Sequence, residues 1–299
     1  MVRIAVVGSL MMDLVVRAPR LVREGESLIA QSLETFAGGK GGNQATAAAR
    51  LGADVAMIGR VGNDDFGHAL VQSLGSEGVD TAAVSVDEDH GTGVAVPIVL
   101  DGGANAIYAL PRANLRLNAS HILAGRDHIV RADMLVVQFE TGIDAVLVAL
   151  TIAREAGVPT LLNPAPIVPH PPETLTLATI IVANEVEAAA LVPAARGNHQ
   201  AEVESLLRPG LELAVVTLGE RGALWSDGGP CQSAPAFPVS AIDSVGAGDA
   251  FCGALAVALA EGMSHAGAVR FASAAGALAV TRPGATAALP TREHIAALL

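Results

Sequence analysis

The sequence predicts an α/β fold: a three-layer sandwich with a mainly parallel central sheet flanked by helices, carrying a small β lid. Three observations point there. Short apolar runs alternate with helical patterns, two stretches break that alternation, and the apolar residues are mostly small or branched aliphatics.

The apolar runs 4–7, 55–59, 134–139, 160–162, 180–183 and 213–218 read as buried strands. Helical patterns separate most of them, for example over 44–51, 66–74 and 143–156. Strand and helix in alternation imply βαβ units and a parallel sheet. Right-handed crossovers then put helices on both faces. The first exception spans about 14–36, with Pro19, Gly25 and the alternating run Glu26-Ser27-Leu28-Ile29-Ala30. The second spans about 93–110. It has Val94, Val96, Ile98 and Leu100 on one side, a Gly102-Gly103 turn, then Ile107 and Tyr108. Both read as antiparallel hairpins. They form a lid of about 14–37 and 93–110 inserted into a single domain of 1–299. No internal repeat or low-complexity linker divides the chain, and the most loop-like late spot is Arg196-Gly197-Asn198-His199.

Composition bounds the function. With 51% hydrophobic and 16% charged residues, the chain can bury a large core and is not a disordered one. One Trp, one Tyr and six Phe leave Ala, Val, Leu and Gly to fill that core. A net charge of −12 repels nucleic acid and anionic membranes, so neither is expected as a partner. Any phosphate site must then work through local backbone donors and a metal ion. Cys231 and Cys252 lack metal-ligand spacing and read as two buried thiols in a cytoplasmic protein. Met1-Val2-Arg3 leads straight into an apolar strand without a signal-peptide pattern, and no segment reads as a membrane span. Lys40 is the only lysine, against seventeen arginines. Ammonium and guanidinium differ in shape and hydration, so its retention suggests that Arg does not fit there.

Five polar stretches sit at strand ends or helix starts. Asp243-Ser244-Val245-Gly246-Ala247-Gly248-Asp249 leads into an apolar helix. A helix start offers unsatisfied N–H groups and partial positive charge, and glycine lets an anion approach. A carboxylate beside such a cradle repels its ligand unless it has a task, and taking a proton from an attacking hydroxyl is one. Taken alone, the run is equally a glycine-rich loop with Asp at a helix start. Gly38-Gly39-Lys40-Gly41-Gly42-Asn43-Gln44 also opens a helix and lacks the Walker A spacing. Asn184-Glu185-Val186-Glu187 follows a strand, where open α/β sheets bind ligands. Asp13 and Thr217-Leu218-Gly219-Glu220-Arg221-Gly222 complete the set.

These residues, in this order, resemble the ribokinase-like (PfkB) family of sugar kinases over nearly the whole chain. The match takes in Gly8-Ser9, Asp13, Gly25-Glu26 and Gly38 to Gln44. It continues through Gly59-Arg60-Val61-Gly62 with Asp64 and Phe66-Gly67, then Thr92-Gly93 and Gln138 with Glu140. Asn163-Pro164-Ala165-Pro166, Asn184 with Glu187, Thr217-Leu218-Gly219, Gly246 to Asp249 and Gly284-Ala285 complete it.

The resemblance implies an ATP-dependent sugar kinase that phosphorylates the 5-hydroxyl of D-ribose. It makes Asp249 the base, with Gly246, Ala247 and Gly248 as the anion hole. Met11, Asp13, Gly39, Lys40, Asn43 and Glu140 would contact the sugar, together with Asp249. Asn184, Thr217, Gly219, Glu220, Gly222, Gly248 and Ser273 would hold the nucleotide, and Asn184 with Glu187 the Mg²⁺ site. A K⁺ site would use Asp243, Val245, Ala279, Arg282, Gly284 and Ala288. Related enzymes pair through their lids, so a homodimer is expected. Two departures stand out. Ala288 replaces a commoner Ser among the cation ligands. Met11 replaces an Asn that bonds a sugar hydroxyl, and a thioether is a poor partner for it. A sugar lacking that hydroxyl, 2-deoxyribose, is therefore the alternative substrate. Another sugar or nucleoside kinase of the same family is a further one. A sugar-binding regulator without turnover is the alternative of another class, and intact Asp249, Asn184 and Glu187 argue against it.

Overall fold

The computed structural model describes residues 1–101 and 105–299, so the expected Gly102-Gly103 turn lies outside the described residues. Its strands are β1 (Arg3–Val7), β2 (Met11–Ala18), β3 (Ser32–Gly38), β4 (Asp54–Gly62), β5 (Asp80–Asp87), β6 (Gly93–Leu100) and β7 (Asn105–Leu110). They continue with β8 (Met134–Gln138), β9 (Thr160–Asn163), β10 (Ile180–Asn184), β11 (Leu213–Thr217), β12 (Ala223–Ser226) and β13 (Gln232–Ala234). Nine form one sheet in the order β13-β12-β11-β10-β9-β8-β1-β4-β5. It is parallel except for the last two pairings at one edge, β11 with β12 and β12 with β13.

Alternation along each strand divides the core between the two faces. On β1, Ile4 and Val6 pack into one cluster with helices Lys40–Arg50, Ala247–Ala260 and His265–Ala279. Ala5 and Val7 pack into the other with helix Ile143–Ala156. The scarcity of aromatics has a use on the first face. A Cβ on Gly253 would lie 2.6 Å from that of Ala47 and 2.9 Å from the carbonyl of Gln44. Helices Lys40–Arg50 and Ala247–Ala260 therefore cross nearly in backbone contact. That crossing brings the two glycine-rich helix starts side by side.

The second sheet has the order β3-β2-β6-β7. The pairs β2–β3 and β6–β7 are antiparallel, as expected, and a parallel β2–β6 pairing joins the two hairpins. Two expectations need correction. The lid begins at Met11 rather than near 14, because β2 pairs with β3 and β6 from its first residue. The run Glu26 to Ala30 is not a strand: no neighbouring strand pairs with it, and Ile29 is 93% exposed. Strands β5, β12 and β13 were not foreseen. They are edge or near-edge strands of mixed polarity, without a continuous apolar run.

The lid is tied to the main sheet by buried and partly buried polar bonds. Asp64 accepts from Gly67 N (2.9 Å), Thr92 N (2.8 Å) and Thr92 Oγ1 (2.5 Å). Asn114 accepts from Leu10 N and donates to Leu10 O, each at 2.8 Å. Asn198 caps helix His199–Leu206, so His199 belongs to that helix rather than to a loop. Both cysteines are free, and Cys231 is only partly buried, against expectation, because it follows an exposed edge turn. No described helix is long and apolar enough to cross a membrane.

Candidate active site

Gly246 closes the loop before helix Ala247–Ala260 in a left-handed conformation (φ 79°), and no side chain caps that helix. Only glycine enters this conformation without strain, and a Cβ there would lie 3.0 Å from Ala285 Cα. Beyond Gly248 the space is open. The first-turn N–H groups are thus available to an anion. Asp249 lies in that same turn and is 6% exposed. Asn43 Nδ2 donates to its Oδ2 at 2.9 Å and Gln44 Nε2 to its Oδ1 at 3.0 Å. These donors come from helix Lys40–Arg50, whose own start is positioned by Gly39 (φ 84°).

Three further charged groups share this electrostatic neighbourhood. Glu140, just past β8, accepts from Ser9 Oγ (2.5 Å) and from Lys40 N (3.0 Å). Burial raises its proton affinity, and the Lys40 charge opposes that rise. Asp13 on β2 is buried, with no donor to its carboxylate among the described residues. Burial first, then Glu140 and Asp249, pushes its pKa up to about 7. Gly38 makes room for it, since a Cβ there would lie 2.4 Å from Asp13 Oδ2. Burial alone would lower the Lys40 ammonium, but Asp249, Glu140 and Glu187 outweigh it and hold the group above its usual range. Lys40 has no direct ion-pair partner among the described residues. Met11 is two positions before Asp13 on β2, so the two share a face of the lid sheet. Met11 is buried.

The other expected residues stand at the carboxyl ends of β10 and β11. Asn184 and Glu187 form a reciprocal cap. Asn184 N donates to Glu187 Oε2 (2.8 Å), Asn184 Nδ2 to Oε1 (2.9 Å), and Glu187 N to Asn184 Oδ1 (2.9 Å). Burial raises the proton affinity of Glu187, opposed by the Asn184 N–H and by Lys40. Thr217 ends β11, and Gly219 and Glu220 are exposed in the short helical turn after it. Gly222 (φ 87°) must be glycine, because a Cβ would lie 2.1 Å from Ala234 O. Ser273 lies on helix His265–Ala279 with its hydroxyl bonded to Val269 O at 2.8 Å. No hydrogen bond joins it to the Thr217 loop among the described residues.

Asp243 clips the remaining loop. Its carboxylate accepts from Val245 N and from Gly284 N, each at 3.0 Å, and Asp243 N donates to Val280 O at 3.2 Å. Asp243, Val245 and Gly284 are therefore together, with Ala279 and Arg282 flanking Val280. Ala288 is buried and offers no side-chain oxygen. Among the described residues no group of three His, Cys, Asp or Glu side chains forms a metal site.

The site also holds residues to which the sequence assigned no task. Ser9 anchors Glu140. Gln44, Gln138 and Asn163 form a buried amide network with Asp249. Thr286 Oγ1 lies 2.7 Å from Asn43 Oδ1. Their signal was a polar residue inside an apolar or alanine-rich run, as with Gln138 in 134–139 and Gln44 in 44–51.

An uncapped, glycine-rich helix start with a buried carboxylate in its first turn, at the carboxyl ends of a parallel sheet, defines a phosphotransferase acting on a small hydroxylated molecule. Comparison with known proteins narrows the class. The pfkB family carbohydrate kinase model matches residues 1–292, and the chain belongs to that family. It is 38% identical over 296 residues to a ribokinase of Bacillus subtilis, covering 99% of each protein. It is 34% identical over 295 residues to a deoxyribokinase of Salmonella typhi, covering 97% of this chain and 96% of the relative. The structure of Arabidopsis thaliana ribokinase complexed with ribose and ATP superposes with a TM-score of 0.92 at 31% identity, covering 100% of this chain and 99% of that one.

Proposed function

We propose that this chain transfers a phosphoryl group from ATP to the 5-hydroxyl of D-ribose, with Asp249 as the base. The observation that carries the reading is a buried Asp249 held through both oxygens beside an open helix start, within electrostatic reach of Asp13, Glu140 and Lys40. The Arabidopsis relative, whose structure holds ribose and ATP, supports the same pair of substrates.

In this reading Asp13, Gly39, Lys40, Asn43 and Glu140 bind and orient the sugar. Asn184, Thr217, Gly219, Glu220, Gly222 and Ser273 receive the nucleotide. The transition state of phosphoryl transfer is loose, so positioning and charge matter more than base strength. Asp249 orients the hydroxyl and takes its proton late, while the N–H groups at Gly246, Ala247 and Gly248 offset charge on the transferred group.

The acidic cleft fits cationic cofactors. Asn184 already donates to both oxygens of Glu187, which suits Mg²⁺ held through water rather than by a protein cage. When bound, Mg²⁺ neutralises phosphate charge. In this reading Asp243, with carbonyls of Val245, Ala279, Arg282 and Gly284, would hold K⁺, and Ala288 would contribute no side-chain ligand. Exposed apolar side chains on and beside the lid, Ile29 (93%), Leu33 (64%) and Tyr108 (68%), support a homodimer through it. Two free thiols suit a cytoplasmic protein.

Met11 favours a second reading, 2-deoxyribose, and the similarity to a deoxyribokinase supports it. A pocket that merely lacks a partner rejects an added hydroxyl by only about 10²-fold, so ribose remains the leading substrate. The test is kcat/KM from sugar-dependent ADP release. Ribose is expected to exceed 2-deoxyribose, and Met11→Asn to raise the ribose preference about tenfold or more. An unchanged ratio in Met11→Asn would remove Met11 from sugar selection. No ADP release with any sugar would favour a sugar-binding regulator.

A further inference from the structure

The amide network behind Asp249 has a direction that can be worked out from its fixed ends. An ionised carboxylate only accepts hydrogen bonds. Gln44 must therefore turn its NH₂ toward Asp249 Oδ1 (3.0 Å), and the same nitrogen reaches Asn163 Oδ1 at 3.3 Å. Asn163 is fixed independently, because its Nδ2 donates to the backbone carbonyl of Val182 at 2.9 Å. Both hydrogens of Gln44 then face acceptors, and its Oε1 points the other way. There it accepts from Gln138 Nε2 at 2.6 Å. Gln138 is thereby oriented too, and its Oε1 is left buried without a partner. That oxygen occupies the space where a side chain on Gly8 would be, 2.1 Å from an ideal Cβ. Gln44 is 1% exposed and Gln138 0% exposed, so these bonds are shielded from bulk water.

A buried acceptor without a donor is destabilising, and an aliphatic residue would fill this strand position without one. We infer that Gln138 is a positioning residue for the phosphoryl-transfer reaction, locking the Gln44 amide so that it donates to the base Asp249. The inference rests on the reading of Asp249 as base. Without Gln138, the Gln44 Oε1 loses the donor that holds it, and the direction of the Gln44 NH₂ toward Asp249 rests on its two acceptors alone. The charged groups around Asp249 are Lys40, Glu140, Asp13 and Glu187, with the Cys252 thiol one helical turn away. None of these hydrogen-bonds to Gln44 or Gln138 among the described residues.

The test compares Gln138→Met, Gln44→Met, the double variant and Asp249→Asn in the full-length chain. A carboxylate that loses a donor takes up a proton more readily. In Gln138→Met, kcat is expected to fall about tenfold, with its acidic limb moved to higher pH by about one unit and KM for ATP unchanged. The double variant should match Gln44→Met alone, because the two residues act in series. Gln138→Glu tests the same point with a different side chain. Its buried carboxyl is expected to stay neutral, keep a donor toward Gln44 and retain most of the activity. Three outcomes overturn the inference while the base reading stands: additive effects of the two Met variants, a Gln138→Met pH profile identical to the parent, or a Gln138→Glu variant as impaired as Gln138→Met. An active Asp249→Asn variant overturns the base reading itself, and the inference with it.

Discussion

Asp249 and Asn184 both stand at helix starts, yet they are held in opposite ways. Asp249 is buried and bonded to Asn43 and Gln44, residues 206 and 205 positions away in the chain. Asn184 is exposed, and among the described residues its side chain bonds only to Glu187, three positions on. The first site exists only once helices Lys40–Arg50 and Ala247–Ala260 have packed together. The second is made by its own segment. A base needs a fixed direction toward one hydroxyl, and long-range packing supplies it. A phosphate and metal site needs charge at a strand end, and a local cap supplies that while leaving the residues open to ligand.

This contrast can be tested from either side. Asp249 itself apart, the largest effect is expected in the local half. Glu187→Gln removes the charge at the proposed Mg²⁺ and phosphate site. It should lower kcat about 10²-fold and raise the Mg²⁺ requirement, with sugar affinity unchanged. Loss of sugar binding in that variant would show that the two halves are not separate. A smaller effect is expected in the packed half. Asp13 has its pKa raised to about 7 by burial, then by Glu140 and Asp249. In the proposed sugar-binding role the ionised form would accept hydrogen bonds from sugar hydroxyls, and it is lost as the pH falls through about 7. Sugar Kd should therefore rise about five- to tenfold between pH 8 and pH 6, a trend that Asp13→Asn should abolish. A flat profile in the parent would remove Asp13 from sugar binding.

The same contrast explains how much was legible in the sequence. The central parallel strands were readable because each is a short apolar run, and both lid hairpins because no helix separates their strands. Asp249, Lys40 and Glu187 stood out locally, through adjacent glycines, a unique lysine and a strand end. Gln138 and Thr286 carry a weaker signal, a polar residue inside an apolar or alanine-rich run. Their partners lie 94 and 243 positions away, so their use is created by packing and cannot be read from neighbours. The lid boundary and the run Glu26 to Ala30 were misjudged for a related reason. Strand pairing depends on what lies alongside, and β2 gains partners from Met11 onward while Glu26 to Ala30 gains none.

The central claim is that Asp249 acts on the hydroxyl and not on the binding of the sugar. The most direct measurement is ribose binding by calorimetry and ribose-dependent ADP release in the same preparation of Asp249→Asn. Turnover is expected to fall by about 10³-fold, with ribose still bound at close to the parent affinity. Turnover near the parent level, or loss of ribose binding in step with turnover, would contradict it.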